Sequence, residues 1–247
     1  MTRTKKGIPE FNRRCYSGYI KDISKRVPGF PEKYLFPYGN PIQPVLSISS
    51  CEKEIMLIGA FPSARFEIRN KRLIPVANNL SPFAREEYFD GYGFRKQASR
   101  EILDKHYFPV LNKVPEDIWI TDIVKVYLFP DDHIKNCEEV NNRIKYVNTH
   151  KMFNLIAKAS LGWIYEEIKL CNPKIIITLG EVCARTLLND FTTLAKLLLT
   201  GDLKPFTNFD NSIRIAHLGH PEIFRRNASD WRKDVIRSLD NLASNLD

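Results

Sequence analysis

Residues 54–67, EIMLIGAFPSARFE, carry the reading on which the fold turns. An apolar run from Ile55 to Ile58 meets Gly59, and the chain passes through Pro62 into Ser63 and Arg65. A short, continuous apolar run closed by a turn is the pattern of a strand buried on both faces. Three later runs repeat it: IWITDIVKVYL (118–128), KIIITLG (174–180) and SIRIAHLG (212–219). Between them lie stretches of helical character, around 94–111, 138–170, 181–188 and 229–246. In the last of these, Val235, Ile236, Leu239 and Leu242 recur at helical spacing and define one packing face.

Strands that alternate with helices form βαβ units with right-handed crossovers. The expectation is an α/β protein: a single three-layer α/β/α domain over 1–247 with a central, mostly parallel four-stranded sheet. Residues 1–50 include RVPGFPEKYLFPYGNPIQP (26–44), rich in proline, glycine and aromatics. They predict an N-terminal wrap with a short helix around 18–26, leaving 51–247 as the α/β core. In such a sheet the ligand sits beyond the carboxyl ends of the strands. Those ends are Gly59 to Ser63, Asp122, Gly180 with Glu181, and Gly219 to Pro221, four distant segments converging on one rim.

The chain has 247 residues, 43% of them hydrophobic, enough for an ordinary core. Its apolar runs are far shorter than a membrane span and the N-terminus leads into no secretory segment, which points to a cytoplasmic protein. Five cysteines, an odd number with no C-x-x-C pair, read as isolated reduced thiols rather than a disulfide frame or a metal site. The formal charge is +8, which suits a polyanionic partner such as nucleic acid. Basic residues cluster at Arg65, Arg69, Lys71 and Arg72, and again at Arg225, Arg226, Arg232 and Lys233.

These phrases, in this order, resemble the uracil-DNA glycosylase superfamily from about Glu54 onwards. GAFPSARF (59–66) stands in the place of the first signature, and WITDIVKVYLFP (119–130) resembles the strand that usually reads T-N-x-x-K. NPKIIITLGEVCARTLL (172–188) resembles the third core strand and its helix. HLGHPEIFRRNASDW (217–231) resembles the second signature, an H-P turn followed by an apolar wedge and arginine. The resemblance implies that a nucleotide is flipped out of DNA and its N-glycosidic bond hydrolysed by a monofunctional, cofactor-free monomer. Such chemistry needs a pocket that stacks the base and reads its edge, a donor for the departing base, and a group that stabilises the sugar cation or directs water.

Carried over residue by residue, His220 is the donor, and Phe83, in NNLSPFAREEYFDG (78–91), stacks the base. Gly59, Ala60, Phe61, Pro62 and Asp122 join Phe83 in the base pocket. Phe224 is the wedge. Ser63, Arg65, Arg225, Arg226 and Asn227 hold DNA. Each has a plainer competing role: a turn cap for His220 and Asp122, packing for Phe83 and Phe224, solvated charge for the arginines.

The chain departs from the superfamily at three points. Asp122 replaces the usual asparagine. An ionised aspartate only accepts hydrogen bonds, which favours the exocyclic amine of a cytosine-like or modified-cytosine target, whereas a protonated one still serves uracil. Modified cytosine points to defence against modified phage DNA beside DNA repair as the setting. The first turn has Ala60 and Phe61 where an acid is usual, so the carboxylate falls to Asp122 itself or to Glu86, Glu87 or Asp90 in the loop after Phe83, with Glu86 preferred. Val126 stands where the iron–sulfur branch has a cysteine, so no metal is expected. The missing acid leaves a second reading open: a non-catalytic DNA-binding or damage-sensing protein on the same fold.

Overall fold

The computed structural model describes residues 7–224 and 229–246. In chain order its elements are α1 (Gly7–Arg26), β1 (Ile55–Gly59), β2 (Ala64–Arg69), β3 (Arg72–Asn78), β4 (Glu87–Phe89), β5 (Phe94–Lys96) and α2 (Ala98–Ile102). They continue with β6 (Ile118–Asp122), α3 (Asp131–Val140), α4 (Phe153–Cys171), β7 (Ile175–Leu179), α5 (Glu181–Leu188), α6 (Ala195–Leu198), β8 (Lys204–Phe206), β9 (Asp210–Leu218) and α7 (Ser229–Ala243).

The central sheet has the order β6-β1-β7-β9-β8. Its first four strands pair in parallel, and these are the four runs read from the sequence. A fifth strand, β8, adds an antiparallel edge. Side chains of β1 alternate between the two faces. Met56 and Ile58 join Trp119 and Ile176 in a core closed by Tyr19, Ile23, Ile164 and Ile168 of α1 and α4. Ile55 and Leu57 join Ile120, Ile177 and Leu218 in a second core closed by Leu103, Tyr107, Val235 and Leu239. Period-two alternation on strands that are buried throughout makes three layers. Because β1 is flanked by β6 on one side and β7 on the other, the chain reverses its winding direction at β1, which opens a crevice at the carboxyl ends.

Local chemistry explains where the elements differ from expectation. The N-terminal helix runs from Gly7 to Arg26, because Ile8, Phe11, Cys15, Tyr19 and Ile23 form one buried stripe against α4. The helix expected over 138–170 is broken into α3 and α4. Between them, Asn141 ends α3 and Asn148 accepts the Lys151 N–H in a turn (2.8 Å). The stretch expected as a helix over 94–111 begins as strand β5, and α2 then widens into a π-helical turn at Leu103–Tyr107. Of IWITDIVKVYL, Ile118–Asp122 forms the named strand, although Ile123 and Val124 still donate to the carbonyls of Gly59 and Ala60 (2.9 Å each).

Two hairpins stand beside the sheet. Strands β2 and β3 pair across the two-residue turn Asn70-Lys71, both with positive φ (51° and 61°), the conformation that matches hairpin twist. In β4–β5, Asp90 closes the loop by accepting from the N–H groups of Tyr92 and Gly93 (2.9 Å each).

Candidate functional site

A cleft of about 620 Å³ opens where β1, β6, β7 and β9 end. The turn after β1 supplies Ala60, Phe61, Pro62 and Ser63, the end of β6 supplies Asp122, the β7–α5 junction supplies Gly180 and Glu181, and the turn after β9 supplies His220. The loop after β3 adds Phe83. All four converging segments therefore reach one cavity.

Its floor is Asp122, 1% exposed, whose Oδ1 has no hydrogen-bond partner among the described residues. A buried polar atom left unpaired costs about 1–3 kcal/mol, so in a cavity it points to a ligand. Burial pushes the Asp122 carboxyl up to about 7; Lys125 opposes the shift and Glu167 adds to it. The carboxyl therefore changes charge near neutrality.

Behind Asp122 lies a fully buried ionic network. Lys125 Nζ donates to Glu167 and Thr121 Oγ1 (2.7 Å), and also to the carbonyl of Asp122 itself (2.6 Å). Glu167 further accepts from Trp119 Nε1 (2.8 Å) and Thr121 Oγ1 (3.0 Å). The pair is satisfied on both sides, as a buried ion pair must be, and it anchors the end of β6.

Phe83 and His220 form the walls. Phe83 has φ 50°, an uncommon backbone for a bulky residue, and Arg100 holds it there by donating to its carbonyl (3.0 Å). Its ring lies against Gly59, where an added Cβ would fall 2.6 Å from Cε2 and 2.2 Å from the Asp122 Oδ1. The centroids of Phe83 and His220 are 6.3 Å apart. Gly180, φ 92°, brings the backbone against the His220 side chain, and Tyr107 donates to the carbonyl of Gly219 (2.7 Å), bracing the same turn. His220 Nδ1 accepts the Glu222 N–H (3.2 Å). A ring nitrogen that accepts carries no proton, so the neutral ring bears its proton on Nε2, as a donor.

Phe61 sits edge-on to His150 (5.4 Å) and closes the far side of the cleft. Cleft residues not singled out in the sequence include Asn79 and Gln97, whose Nε2 donates to Asn79 Oδ1 (3.0 Å), together with His133 and Arg100. Asn79 and Gln97 come from the ends of two hairpins, and no short sequence pattern marks them.

Other expected site residues sit elsewhere. Glu86, 2% exposed at its side chain, is bound to Arg65 through Nε (2.7 Å) and Nη2 and does not line the cleft. Arg65, on β2, meets it across 21 residues of sequence. The same bond occupies the Arg65 guanidinium. Asp90 is buried against Arg95 in the hairpin loop and Glu87 is exposed on β4. The ring of Phe224 stacks on His106 (4.5 Å, 14°) under the Arg232 guanidinium (5.5 Å). Arg225, Arg226 and Asn227 lie outside the described residues. Among those described, no group of three or more His, Cys, Asp or Glu side chains is placed to hold a metal, and no helix is long and apolar enough to cross a membrane.

The switch point of a parallel sheet in an α/β protein thus opens on an aromatic ring, a buried carboxyl and a histidine. The family model of the uracil DNA glycosylase superfamily matches residues 47–240, and the chain belongs to that superfamily. The fold is thus that of a DNA glycosylase, and membership implies DNA as partner. A search of curated proteins finds no match to the chain.

Proposed function

We propose that this protein is a monofunctional DNA glycosylase that flips a pyrimidine, preferentially an amino-bearing cytosine-like or modified-cytosine base, and hydrolyses its N-glycosidic bond to leave an abasic site. The observation that carries the reading is the unpaired Oδ1 of buried Asp122 at the floor of a cleft walled by Phe83 and His220. A flipped base stacks on Phe83 and presents its Watson–Crick edge to Asp122. The ionised carboxylate accepts from an exocyclic amine and repels a carbonyl; the neutral carboxyl also donates and so tolerates uracil. His220, with its proton on Nε2, donates to the oxygen on which charge develops as the base departs.

Since Ala60 and Phe61 offer no acid and Glu86 is held by Arg65, Asp122 acts at the base edge and, among the described residues, no carboxylate stands opposite the sugar cation. Water is oriented by the polar lining, in which Asn79 and Gln97 present amides. Positioning and preorganised dipoles supply much of such an acceleration without a strong general base. Ser63, exposed at the mouth, accompanies the superfamily's phosphate-binding turn. Phe224 serves as wedge only by leaving its stack on His106. Repair of damaged DNA and defence against modified phage DNA are the two settings that such a base preference fits.

The absence of an acid from the first turn favours one other reading, a non-catalytic DNA-binding or damage-sensing protein. Alkaline cleavage of labelled duplexes, each carrying one natural, deaminated or modified base, separates the two. An enzyme leaves abasic sites that break; a binder shifts the duplex on a gel and leaves it whole. Efficient release of uracil with no action on any amino-bearing pyrimidine would refute the base preference.

A further inference from the structure

The β4–β5 hairpin has two unlike faces. On the inner side, Asp90 is buried in an ion pair with Arg95, its carbonyl accepts the Ile68 N–H of β2 (2.7 Å), and Tyr88 is half-buried. On the outer side, Phe89, Tyr92 and Phe94 are 60%, 71% and 72% exposed. Phe89 and Phe94 are directly opposed in register, with ring centroids 5.7 Å apart. A hairpin tied down on one side and offering three large rings to solvent on the other is not a packing feature. Contiguous exposed apolar surface of this kind marks a binding face.

Three observations select the occupant. The hairpin lies in sequence between Phe83 and Gln97, both of which line the cleft, so it is rooted at the cleft on both sides. The bond from Ile68 to Asp90 sets the β2–β3 tip beside it, with exposed Arg69 and Lys71, and exposed Lys96 lies opposite Glu87 in register on β5. The chain as a whole carries +8. Aromatic rings interleaved with basic side chains are how proteins hold unpaired nucleic acid: every base has a face to stack, and the cations follow the phosphates. A paired duplex keeps its base faces covered and gains little from the rings.

We propose that the outer face of the β4–β5 hairpin, through Phe89, Tyr92 and Phe94, is a stacking platform for unpaired DNA bases that flank the nucleotide in the cleft. Only its placement relative to the DNA rests on the glycosylase reading. The face selects strands already open around the target, whether single-stranded DNA or a locally melted duplex.

The test is a fluorescence-anisotropy titration of the full chain with a labelled oligothymidylate of about fifteen nucleotides, beside a duplex of equal length, neither holding a modified base. Phe89→Ala and Phe94→Ala are each expected to weaken single-strand binding about fivefold or more, and the double variant by at least about tenfold. Duplex affinity and melting temperature are expected to stay unchanged. Lys71→Ala is expected to lower the slope of log Kd against log salt by roughly 0.7, the value for one phosphate on a single strand. Wild-type protein that binds the duplex but not the single strand overturns the proposal, as does a double variant with wild-type single-strand affinity. A double variant that instead loses self-association in sedimentation assigns the face to a second copy and also overturns it. The titration requires no excision: loss of the enzyme reading shows only in the alkaline-cleavage assay, and loss of this one only in the single-strand titration.

Discussion

Asp122 Oδ1 and the α-carbon of Gly59 are in such close approach that a Cβ on residue 59 would stand 2.2 Å from the oxygen. Two parallel strands, paired in register at this rung, deliver a carboxyl and a bare backbone to the same point. The site exists because the residue at the end of β1 has no side chain, and the ring of Phe83 uses the remaining space.

Gly59→Ala is therefore expected to displace either Asp122 or Phe83. Overpacking of this kind costs about 1–3 kcal/mol, and excision is expected to fall further than stability does. The control is Gly18→Ala in α1, where an added Cβ meets nothing within 4 Å. There, replacing glycine inside a helix is expected to add up to about 1 kcal/mol. Chemical denaturation of both variants, beside the alkaline-cleavage assay, checks the contrast.

The Asp122 carboxyl, raised from 3.8 to about 7 by burial, links stability to pH. The folded protein holds a proton there that the unfolded chain has released, so this contribution is fully present below about pH 4 and is lost as pH rises through 7. At about 1.4 kcal/mol per unit, it amounts to roughly 4 kcal/mol at most. His217, lowered to about 4 by burial, acts in the opposite sense, losing stability as pH falls below its ordinary 6.5. Comparing wild type with Asp122→Asn between pH 5 and pH 8 isolates the Asp122 slope, which is expected to vanish in the variant.

The same titration governs base choice in the proposed reaction. Excision of an amino-bearing pyrimidine relative to uracil is expected to rise as pH passes upward through about 7, as the acceptor-only carboxylate replaces the neutral acid. In Asp122→Asn that ratio is expected to be flat with pH. Competition assays with two labelled duplexes in one tube measure it directly.

Lys125 and Glu167 are 0% and 1% exposed at their side chains and pair behind Asp122. Lys125→Met or Glu167→Gln alone leaves one buried charge unanswered, with an expected loss of about 3–5 kcal/mol. Replacing both with apolar residues, as in K125M/E167L, is expected to recover much of that loss. A double-mutant cycle by denaturant unfolding provides the coupling energy.

His220→Ala is expected to slow excision by two or more powers of ten, about the cost of losing one preorganised donor, while duplex binding in a gel shift stays near wild type. Unchanged excision would remove His220 from the reaction and leave it as a turn residue.

Much of the architecture was legible because its signals are local. Ile55 to Ile58 and Ile175 to Ile177 read as buried strands from their unbroken apolar runs, and the rim followed from where those runs stop. The N-terminal helix is longer than the 18–26 expected from sequence, because Ile8, Phe11, Cys15, Tyr19 and Ile23 carry its stripe back to Gly7 ahead of the proline-rich segment. The two hairpins carry little local signal: Asn70-Lys71 is a weak turn sequence, and β4 and β5 are three residues each.

At the site, the division follows the range of the interactions. Sequence alone determined which residues end the strands, Asp122 and His220 among them, and the lack of an acid at Ala60 and Phe61; Phe83 entered through the superfamily resemblance. The first two are properties of a residue and its immediate neighbours. Tertiary structure alone decided that Asp122 has an unpaired oxygen, that Lys125 and Glu167 lie behind it, and that Glu86 is committed to Arg65. A carboxylate's role depends on burial and on partners that lie 21 to 48 residues away in the chain. Those distances close only when the strands pair and the helices cover the sheet.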